Sequence, residues 1–254
     1  MICRESDYSG IEGRKADSMS VPKAWMSWST GKDSAWALHK TRLEGRVEVT
    51  ALLTTVNQAF SRVAMHAVRE ELLEAQAEAL GLALVKVPLP WPCPNAAYEQ
   101  AMEQALAQAR SAGVSYVVFG DLFLEDIRKY REEKMAGTGL TPLFPIWGLD
   151  TAQLAREMIG AGLKAYLTCV DPRKLDRSFA GRSFDTHLLA ALPEGVDPCG
   201  ENGEFHTFAF AGPMFRHRIS ARVGQIEERE GFVFADVLAG EVKGGRDSGA
   251  ATSL

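Results

Sequence analysis

The chain has 254 residues, of which 46% are hydrophobic and 24% charged, a composition that excludes fibrous and largely disordered proteins. Its formal net charge of -5 argues against a broad basic face for nucleic acid, and no run reaches the roughly 18 apolar residues of a membrane span. Four scattered cysteines, Cys3, Cys93, Cys169 and Cys199, form no C-x-x-C pair, which argues against a disulfide framework or cysteine metal site. We therefore expect a cytoplasmic protein.

Strand and helix patterns alternate through the first two thirds of the chain. Apolar and β-branched runs predict strands at 23–28, 47–56, 83–87, 114–119 and 163–170. Helical spacing of apolar residues predicts helices at 34–43, 63–80, 96–112, 125–135 and 151–161. This order predicts an α/β fold, with a doubly wound, mostly parallel five-stranded sheet. Ligands bind such sheets at the carboxyl ends of the strands.

The composition changes along the chain and divides it into four expected regions. After the alternating part, Pro, Gly and charged residues interrupt the pattern, and only short strands at 207–210 and 232–237 can be drawn. Both ends are small and polar, which is typical of unstructured segments. The expected regions are a disordered leader (1–20), a main domain (21–170), a smaller α+β region (171–242) and a flexible tail (243–254).

A polar loop connects the first predicted strand to the first helix. It reads Ser29, Thr30, Gly31, Lys32, Asp33 and Ser34. At such a corner the amide groups and the helix dipole favour an anion, with Gly31 supplying a positive φ, the hydroxyls donating and Lys32 adding a charge. Asp33 would repel a phosphate directly, so we expect it to cap the helix or to hold Mg²⁺. The alternative is an ordinary capped helix after a strand. The spacing matches neither the Walker A nor the dinucleotide-binding pattern.

A second polar cluster lies between residues 198 and 208. It carries the carboxylates of Glu201 and Glu204 and the imidazole of His206 between turn glycines, ahead of an apolar run. Such a density of titratable groups is typical of a functional loop. The same residues also suit a hairpin turn with solvated acids, because Asn202-Gly203 is a favoured turn pair. Both interpretations stay open.

Further polar residues follow predicted elements. Gly120 and Asp121 come directly after the strand at 114–119, where they would lie at the same sheet edge as the polar loop, although Asp121 could equally cap a helix. His66 suits a helix surface as well as a site. Asp126 and Arg131 are best explained as a solvated helix face.

Together these motifs resemble known families. Residues 29–34 resemble the SGGxDS signature of PP-loop ATP pyrophosphatases, with Thr30 in place of the first Gly. Within residues 198–208, the run GENGEFHT resembles the segment GEGGE, aromatic residue, any residue, Thr of the diphthine-ammonia ligase family. The resemblance extends over about residues 23–213 through further matches at 62–66, 76–82, 120–121 and 142–147.

The resemblance implies a PP-loop, HUP-like fold and an ATP-dependent ligase. Such an enzyme adenylates a carboxylate, and ammonia then displaces AMP to form an amide. The implied partners are ammonia and diphthine on elongation factor 2, or another small-molecule carboxylate in a relative without diphthine. The implied cofactors are ATP, bound by residues 29–34 with Gly120 and Asp121, and Mg²⁺, bound by Asp33.

The implied catalytic residues are Lys32, which would neutralise phosphate charge, and Glu201, Glu204 and His206, any of which could accept the proton that ammonium must lose. Two other functions stay open. A tRNA-modifying PP-loop enzyme is disfavoured by the acidic net charge and the scattered cysteines. A non-catalytic module that binds adenine nucleotides would not require the 32–34 triplet together with the acidic segment.

Overall fold

The computed structural model describes residues 21–59, 62–63 and 68–240. The predicted leader (1–20), the predicted tail (243–254) and His66 lie outside the described residues. The elements are β1 (Lys23–Ser27), α1 (Lys32–Glu44), β2 (Glu48–Asn57), β3 (Arg62–Val63), α2 (Glu70–Leu80), β4 (Ala83–Leu89), α3 (Asn95–Ser111), β5 (Val114–Val118), α4 (Glu125–Met135), β6 (Thr141–Leu143), α5 (Thr151–Gly160), β7 (Lys164–Val170), α6 (Thr186–Ala191), β8 (Phe205–Ala211), β9 (Ala221–Arg229) and β10 (Phe232–Ala239). No helix within these ranges has the length and apolarity needed to cross a bilayer.

A mostly parallel sheet forms the centre of the fold. Its strand order is β3-β2-β1-β5-β6, and β4 also pairs with β2, so it has six strands rather than the five expected. All pairings are parallel except that of the short β3 with the end of β2. The α/β class is confirmed.

Helices cover both faces of this sheet, as the doubly wound prediction requires. Side chains of β1 and of the residue after it alternate, so that Ala24, Met26 and Trp28 join one apolar cluster and Trp25 joins another. The first cluster contains buried residues of α1, α2 and α5, and the second contains those of α3 and α4. The first cluster also takes in the second sheet, whose strands β7, β8 and β10 contribute Leu167, Phe208 and Val233. The two sheets therefore share one core across α1 and α2.

The strand predicted at 163–170 forms as β7, but it does not join the parallel sheet. It pairs antiparallel with β8 and β10 in a four-stranded sheet of order β8-β7-β10-β9. A continuous apolar run such as β7 carries no information on the direction of its neighbours, and those neighbours lie far along the chain. The domain boundary predicted after residue 170 separates β7 from the other three strands of its sheet.

Two other differences have local causes. The helix predicted at 63–80 begins at Glu70, because Arg62 and Val63 form β3 against β2. Strand β9 had no sequence signal because it is an edge strand that pairs with β10 alone. Most of its nine residues are exposed, and four are charged. The short strands predicted at 207–210 and 232–237 are confirmed within β8 and β10.

Gly120, just beyond β5, packs directly on the first turn of α1. A Cβ atom at Gly120 would lie 2.8 Å from the amide nitrogen of Ser34 and 2.9 Å from the carbonyl carbon of Asp33. Both atoms belong to the backbone and cannot move aside like a side chain. Gly120 therefore serves the close approach of β5 to α1, and this fixes the polar loop against the sheet edge.

The variant Gly120→Ala should lower the free energy of unfolding by about 1–3 kcal/mol, because the added methyl group overpacks rigid backbone. Gly160→Ala is the matched control, since a Cβ there meets nothing within 4 Å and α5 has ordinary helical geometry. It should be neutral or slightly stabilising. Urea unfolding of both variants measures the difference, and equal stabilities would contradict the assigned contact.

Candidate active site

The polar loop leaves β1 and enters α1 with an unusual backbone. The left-handed residue is Thr30, with a φ of 70°, whereas Gly31 is the N-cap of α1 with a φ of -83°. The expectation of a positive φ at Gly31 is therefore wrong by one position. A β-branched residue in this region is strained, at a cost of about 1–2 kcal/mol. The surrounding structure must hold Thr30 in place.

Two groups from distant parts of the chain hold this loop. The carbonyl oxygen of Thr30 accepts hydrogen bonds from the Ala209 amide of β8 and from the Gln76 side chain of α2, each at 2.9 Å. The Gln76 oxygen in turn accepts from the Trp28 indole at 2.8 Å, and its amide also donates to the carbonyl of Ala209 at 2.6 Å. Gln76 is fully buried. It therefore ties β1, the polar loop and β8 together.

In the sequence, Gln76 is marked only by the family match at residues 76–82. A positional signal exists, however. Within α2 the inward-facing residues Leu72, Leu73, Ala77 and Leu80 are apolar, and Gln76 occupies the same stripe. A polar residue at a core position of a helix needs dedicated hydrogen-bond partners. The position of Gln76 in this stripe therefore predicts that its side chain forms buried hydrogen bonds.

Hydrogen bonds within the loop engage the hydroxyls expected to face phosphate. Ser29 Oγ and Ser34 Oγ lie 3.1 Å apart, and Ser34 Oγ donates to the Gly31 carbonyl at 3.0 Å. Thr30 Oγ1 is buried and has no partner among the described residues. Only Ser29 of these three lines the large cavity described below.

Lys32 lies inside the protein, not at an open surface. Its side chain is 2% exposed, and Nζ is 2.8 Å from Asp33 Oδ2 and also donates to the carbonyl oxygen of Cys199. The rings of Phe184 and Phe205 lie 5.5 and 5.4 Å from Nζ. Burial opposes the charge, yet the pKa of Lys32 is raised, because the neighbouring Asp33 carboxylate outweighs that penalty. A charged ammonium thus joins the polar loop to the segment before β8.

A second contact strengthens the same junction. The backbone amide of Lys32 donates to Thr207 Oγ1 at 3.0 Å. Because Thr207 lies in β8, the first turn of α1 is capped by a side chain from the second sheet. The polar loop and the acidic segment, far apart in sequence, therefore meet in one place.

Asp33 is the predicted metal ligand, and its carboxylate is 26% exposed while it pairs with Lys32. A carboxylate has about four lone-pair sites, so the ion pair does not use up its capacity. No cluster of three His, Cys, Asp or Glu side chains suited to a metal occurs in the described part of the chain. Mg²⁺ commonly takes one or two protein carboxylates together with phosphate oxygens. A single acid at this loop fits that pattern.

Glu201 connects the acidic segment to the end of β5. Its Oε1 accepts from the Leu122 amide at 2.8 Å, and its own amide donates to Asp197 Oδ2 at 2.9 Å. Burial raises the pKa of Glu201 to about 7, and the charges of Asp33 and Asp121 act in the same direction. Glu201 therefore changes protonation near neutral pH, close to Asp33.

Asp121 and Arg131 form a pair at the same edge. Arg131 donates to the two carboxylate oxygens of Asp121 at 2.6 and 3.1 Å, and its guanidinium lies 4.5 Å from the centre of the Phe119 ring. The interpretation of Arg131 as part of a solvated face is wrong, since it lines the large cavity. Asp126 is exposed, as expected.

Glu204 and His206 occupy different surroundings. Glu204 is 3% exposed, and its Oε1 accepts from the Asp197 amide at 3.1 Å and from Asn202 Nδ2 at 3.3 Å. Burial lowers the pKa of His206 to about 4, and the nearby Lys32 charge lowers it further. His206 is therefore neutral at pH 7. The hairpin-turn alternative for this segment fails for Glu204, whose carboxylate is buried instead of solvated.

A cavity of about 770 Å³ opens beside the polar loop. It lies over the sheet between α3 and α4, with Leu53, Val117 and Phe119 beneath it. Tyr98 of α3 and Arg131 of α4 line its sides, and Ser29 reaches its rim. Such a volume, mostly apolar with a few polar groups, is typical of a site for a small organic ligand.

Two family models match the chain. The diphthamide synthase N-terminal domain matches residues 22–141, and the diphthamide synthase C-terminal domain matches residues 150–237. Curated relatives named diphthine--ammonia ligase include proteins of Danio rerio, 36% identical over 103 residues (38% of this chain and 40% of the relative), and Homo sapiens, 29% identical over 120 residues (45% of each). A Schizosaccharomyces pombe relative is 34% identical over 85 residues, or 32% of this chain and 14% of the relative. The chain thus aligns with less than half the length of these relatives.

The strained residue gives a direct test of the loop geometry. Thr30→Gly should be more stable than Thr30→Ala by about 1 kcal/mol. Both variants remove the hydroxyl, but only glycine relieves the left-handed strain of about 1–2 kcal/mol. Part of that gain is offset because glycine loses more backbone entropy on folding than alanine does. Thermal unfolding of the two variants measures this. If alanine is the more stable residue, Thr30 does not adopt the left-handed conformation.

Proposed function

Because the chain belongs to the diphthamide synthase family, we propose that it is an ATP-dependent ligase that forms an amide from a carboxylate and ammonia. It releases AMP and pyrophosphate. The observation that supports this most strongly is the junction at Lys32, where a helix N-terminus suited to phosphate meets an acidic loop that carries a carboxyl group with a pKa of about 7. Activation and proton transfer could both occur there.

ATP would lie across the cavity and the polar loop. The 770 Å³ cavity reaches Ser29, and beyond Ser29 the chain enters α1, whose N-terminus favours an anion. We place the nucleoside in the cavity and the phosphates at residues 29–34. In this arrangement Gly120 allows the close packing that shapes the edge, and Asp121 orients Arg131. Lys32 then stabilises the loop through its contacts with Asp33 and the Cys199 carbonyl, and it does not contact the phosphates directly.

Mg²⁺ would be held by Asp33 together with phosphate oxygens of ATP. The ion would neutralise charge on the phosphates, which buried Lys32 cannot reach as arranged. The ion pair with Lys32 keeps Asp33 near the start of α1 and so fixes one ligand position.

The reaction has two steps. The substrate carboxylate attacks the α-phosphorus, pyrophosphate leaves, and an acyl-adenylate forms. Ammonia then attacks the acyl carbon, and AMP departs with the electrons of the C–O bond. Ammonium must lose a proton before that attack, and Glu201, which ionises near neutral pH, is the best placed acceptor. His206 is neutral at that pH and is a weaker base, while Glu204 is held by the loop.

The carboxylate substrate is diphthine on elongation factor 2 if the chain acts as the named relatives do, and otherwise a small-molecule acid. We propose that it acts in the cytoplasm, where ATP is available. Ammonia is the nitrogen donor. The tRNA-modifying alternative gains no support, since the cavity beside the loop is mostly apolar and not a basic groove.

The first test is the product of ATP cleavage. Incubation of the protein with ATP, Mg²⁺, ammonium and candidate acids, including purified elongation factor 2 that carries diphthine, should yield AMP and pyrophosphate in equal amounts. Asp33→Asn should reduce the rate by about 10²-fold or more, because it removes the metal ligand and the partner of Lys32. Glu78→Gln, at an exposed position on α2, is the control. ADP as the product would contradict the proposal, and ATP binding without turnover on any acid would favour the non-catalytic alternative.

A second test uses pH. Glu201 can accept a proton only when ionised, and its pKa of about 7 predicts that the rate falls as the pH drops below 7 and levels off above 8. Ammonium itself also titrates, so the informative quantity is the ratio of wild type to Glu201→Gln at each pH. That ratio should rise through pH 7 towards about 10²-fold. A ratio that does not change with pH would remove Glu201 from the proton transfer.

A further inference from the structure

Two arginines one turn apart on α4 form similar contacts in different surroundings. Arg128 pairs with Glu132 and Arg131 pairs with Asp121, and each guanidinium lies over an aromatic ring. Arg131 lines the 770 Å³ cavity, whereas Arg128 lies outside its wall. The pair at Arg131 is also the more buried, since the side chain of Asp121 is 14% exposed and that of Glu132 is 47% exposed. Arg131 is therefore the arginine of the two that a ligand in the cavity can meet.

The guanidinium of Arg131 has N–H groups that the protein does not use. Nε and Nη2 donate to the carboxylate of Asp121, while Nη1 has no acceptor among the described residues. In that part of the chain, the buried side-chain nitrogen without a partner belongs to Trp36, so Nη1 of Arg131 remains accessible. The Arg131 side chain is 28% exposed. A charged donor of fixed position is therefore open to the cavity.

Asp121 holds this donor at the end of the cavity that adjoins the polar loop. It follows Gly120 directly, and a Cβ on Gly120 would lie 2.8 Å from the amide nitrogen of Ser34. Ser29, at the start of the loop, lines the same cavity. With the nucleoside in the cavity and the β- and γ-phosphates with Mg²⁺ at residues 29–34, the α-phosphate lies between them. Arg131 occupies the wall at that position.

The other cations near this position are engaged elsewhere. Lys134 and Arg110 also line the cavity, but Lys134 pairs with Glu99 of α3 at 2.7 Å. The guanidinium of Arg110 lies against Gly139, beyond the end of α4, where a Cβ on that glycine would be 3.0 Å from it. Among the described residues that line the cavity, Arg131 is thus the cation tied to the edge of the polar loop.

We propose that Nη1 of Arg131 donates to a non-bridging oxygen of the α-phosphate of ATP and that Arg131 is a catalytic residue of the adenylation step. When the substrate carboxylate attacks the α-phosphorus, the P–O bond to pyrophosphate breaks and its electrons leave with pyrophosphate. The guanidinium stabilises the negative charge on the non-bridging oxygens and stays protonated throughout. Because Asp121 fixes the donor beforehand, no reorganisation is needed during the reaction. This inference rests on the proposed ligase function.

The binding of AMP and of adenosine, measured by calorimetry, isolates the contact with the α-phosphate. Arg131→Gln should weaken AMP binding by about tenfold or more and leave adenosine binding unchanged, because only AMP loses a charge-assisted hydrogen bond. The rate of AMP formation from ATP should fall by about 10²-fold. Arg128→Gln is the matched control, since it removes the same charge and a similar ring contact from the same helix, and it should alter neither quantity. Equal losses for AMP and adenosine, or undiminished AMP binding in Arg131→Gln, would overturn the proposal.

A double variant separates the lost donor from the charge left behind. Arg131→Gln leaves the Asp121 carboxylate without its partner, and that charge alone would repel AMP. Asp121→Asn combined with Arg131→Gln removes both charges and leaves two amides that can bond to each other, so it also serves if the single variant does not fold. AMP should still lose about tenfold relative to adenosine in the double variant. Recovery of the wild-type preference for AMP would show that Arg131 does not bind the α-phosphate.

Two other outcomes have distinct signatures. If Arg131→Gln raises the KM of the acid substrate and leaves the preference for AMP intact, Arg131 binds the substrate carboxylate and the α-phosphate assignment is wrong. If the ligase proposal fails instead, ATP yields no AMP with any acid, while the preference for AMP over adenosine and its loss in Arg131→Gln persist.

Discussion

The buried ammonium of Lys32 is the interaction on which the site depends. Lys32 is the first residue of α1, yet two of its contacts come from far along the chain. The Cys199 carbonyl belongs to the acidic segment before β8, and Phe205 is the first residue of β8. A buried charge is tolerated only when its partners are in place, and removal of one partner from such a pair typically costs about 3–5 kcal/mol. The folding of the polar loop and the docking of the second sheet are therefore energetically coupled.

That coupling also explains how a strained loop persists. Thr30 adopts a left-handed conformation because its carbonyl is held by β8 and by Gln76, and the Lys32 amide is held by Thr207 of the same strand. Strained residues survive where the surroundings over-determine them. Here those surroundings are supplied by β8 and α2. Without β8 the loop would lack two of these three contacts, so the second sheet is part of the site and not an addition to it.

The sequence predicted the strands and helices better than it predicted the long-range contacts that build the site. Local patterns located β1, α1, β2, α3 and α4 closely, since each carries its own apolar period and its own stop signals. They could not place β7, whose partners β8 and β10 lie far along the chain, nor the charged edge strand β9. At the site, residue types indicated a phosphate loop and an acidic loop. The burial of the Lys32 side chain and the hydrogen bonds of Gln76 depend on contacts between residues about 50 to 170 positions apart. A local sequence pattern cannot show such contacts.

The charge balance around Lys32 separates the roles of the acids. Lys32 is paired with Asp33, and burial together with the Asp33 and Asp121 charges raises the pKa of Glu201 to about 7. Asp121 has Arg131 as its own partner. Glu201 therefore gains and loses its proton near neutral pH, which is the property required of a proton acceptor.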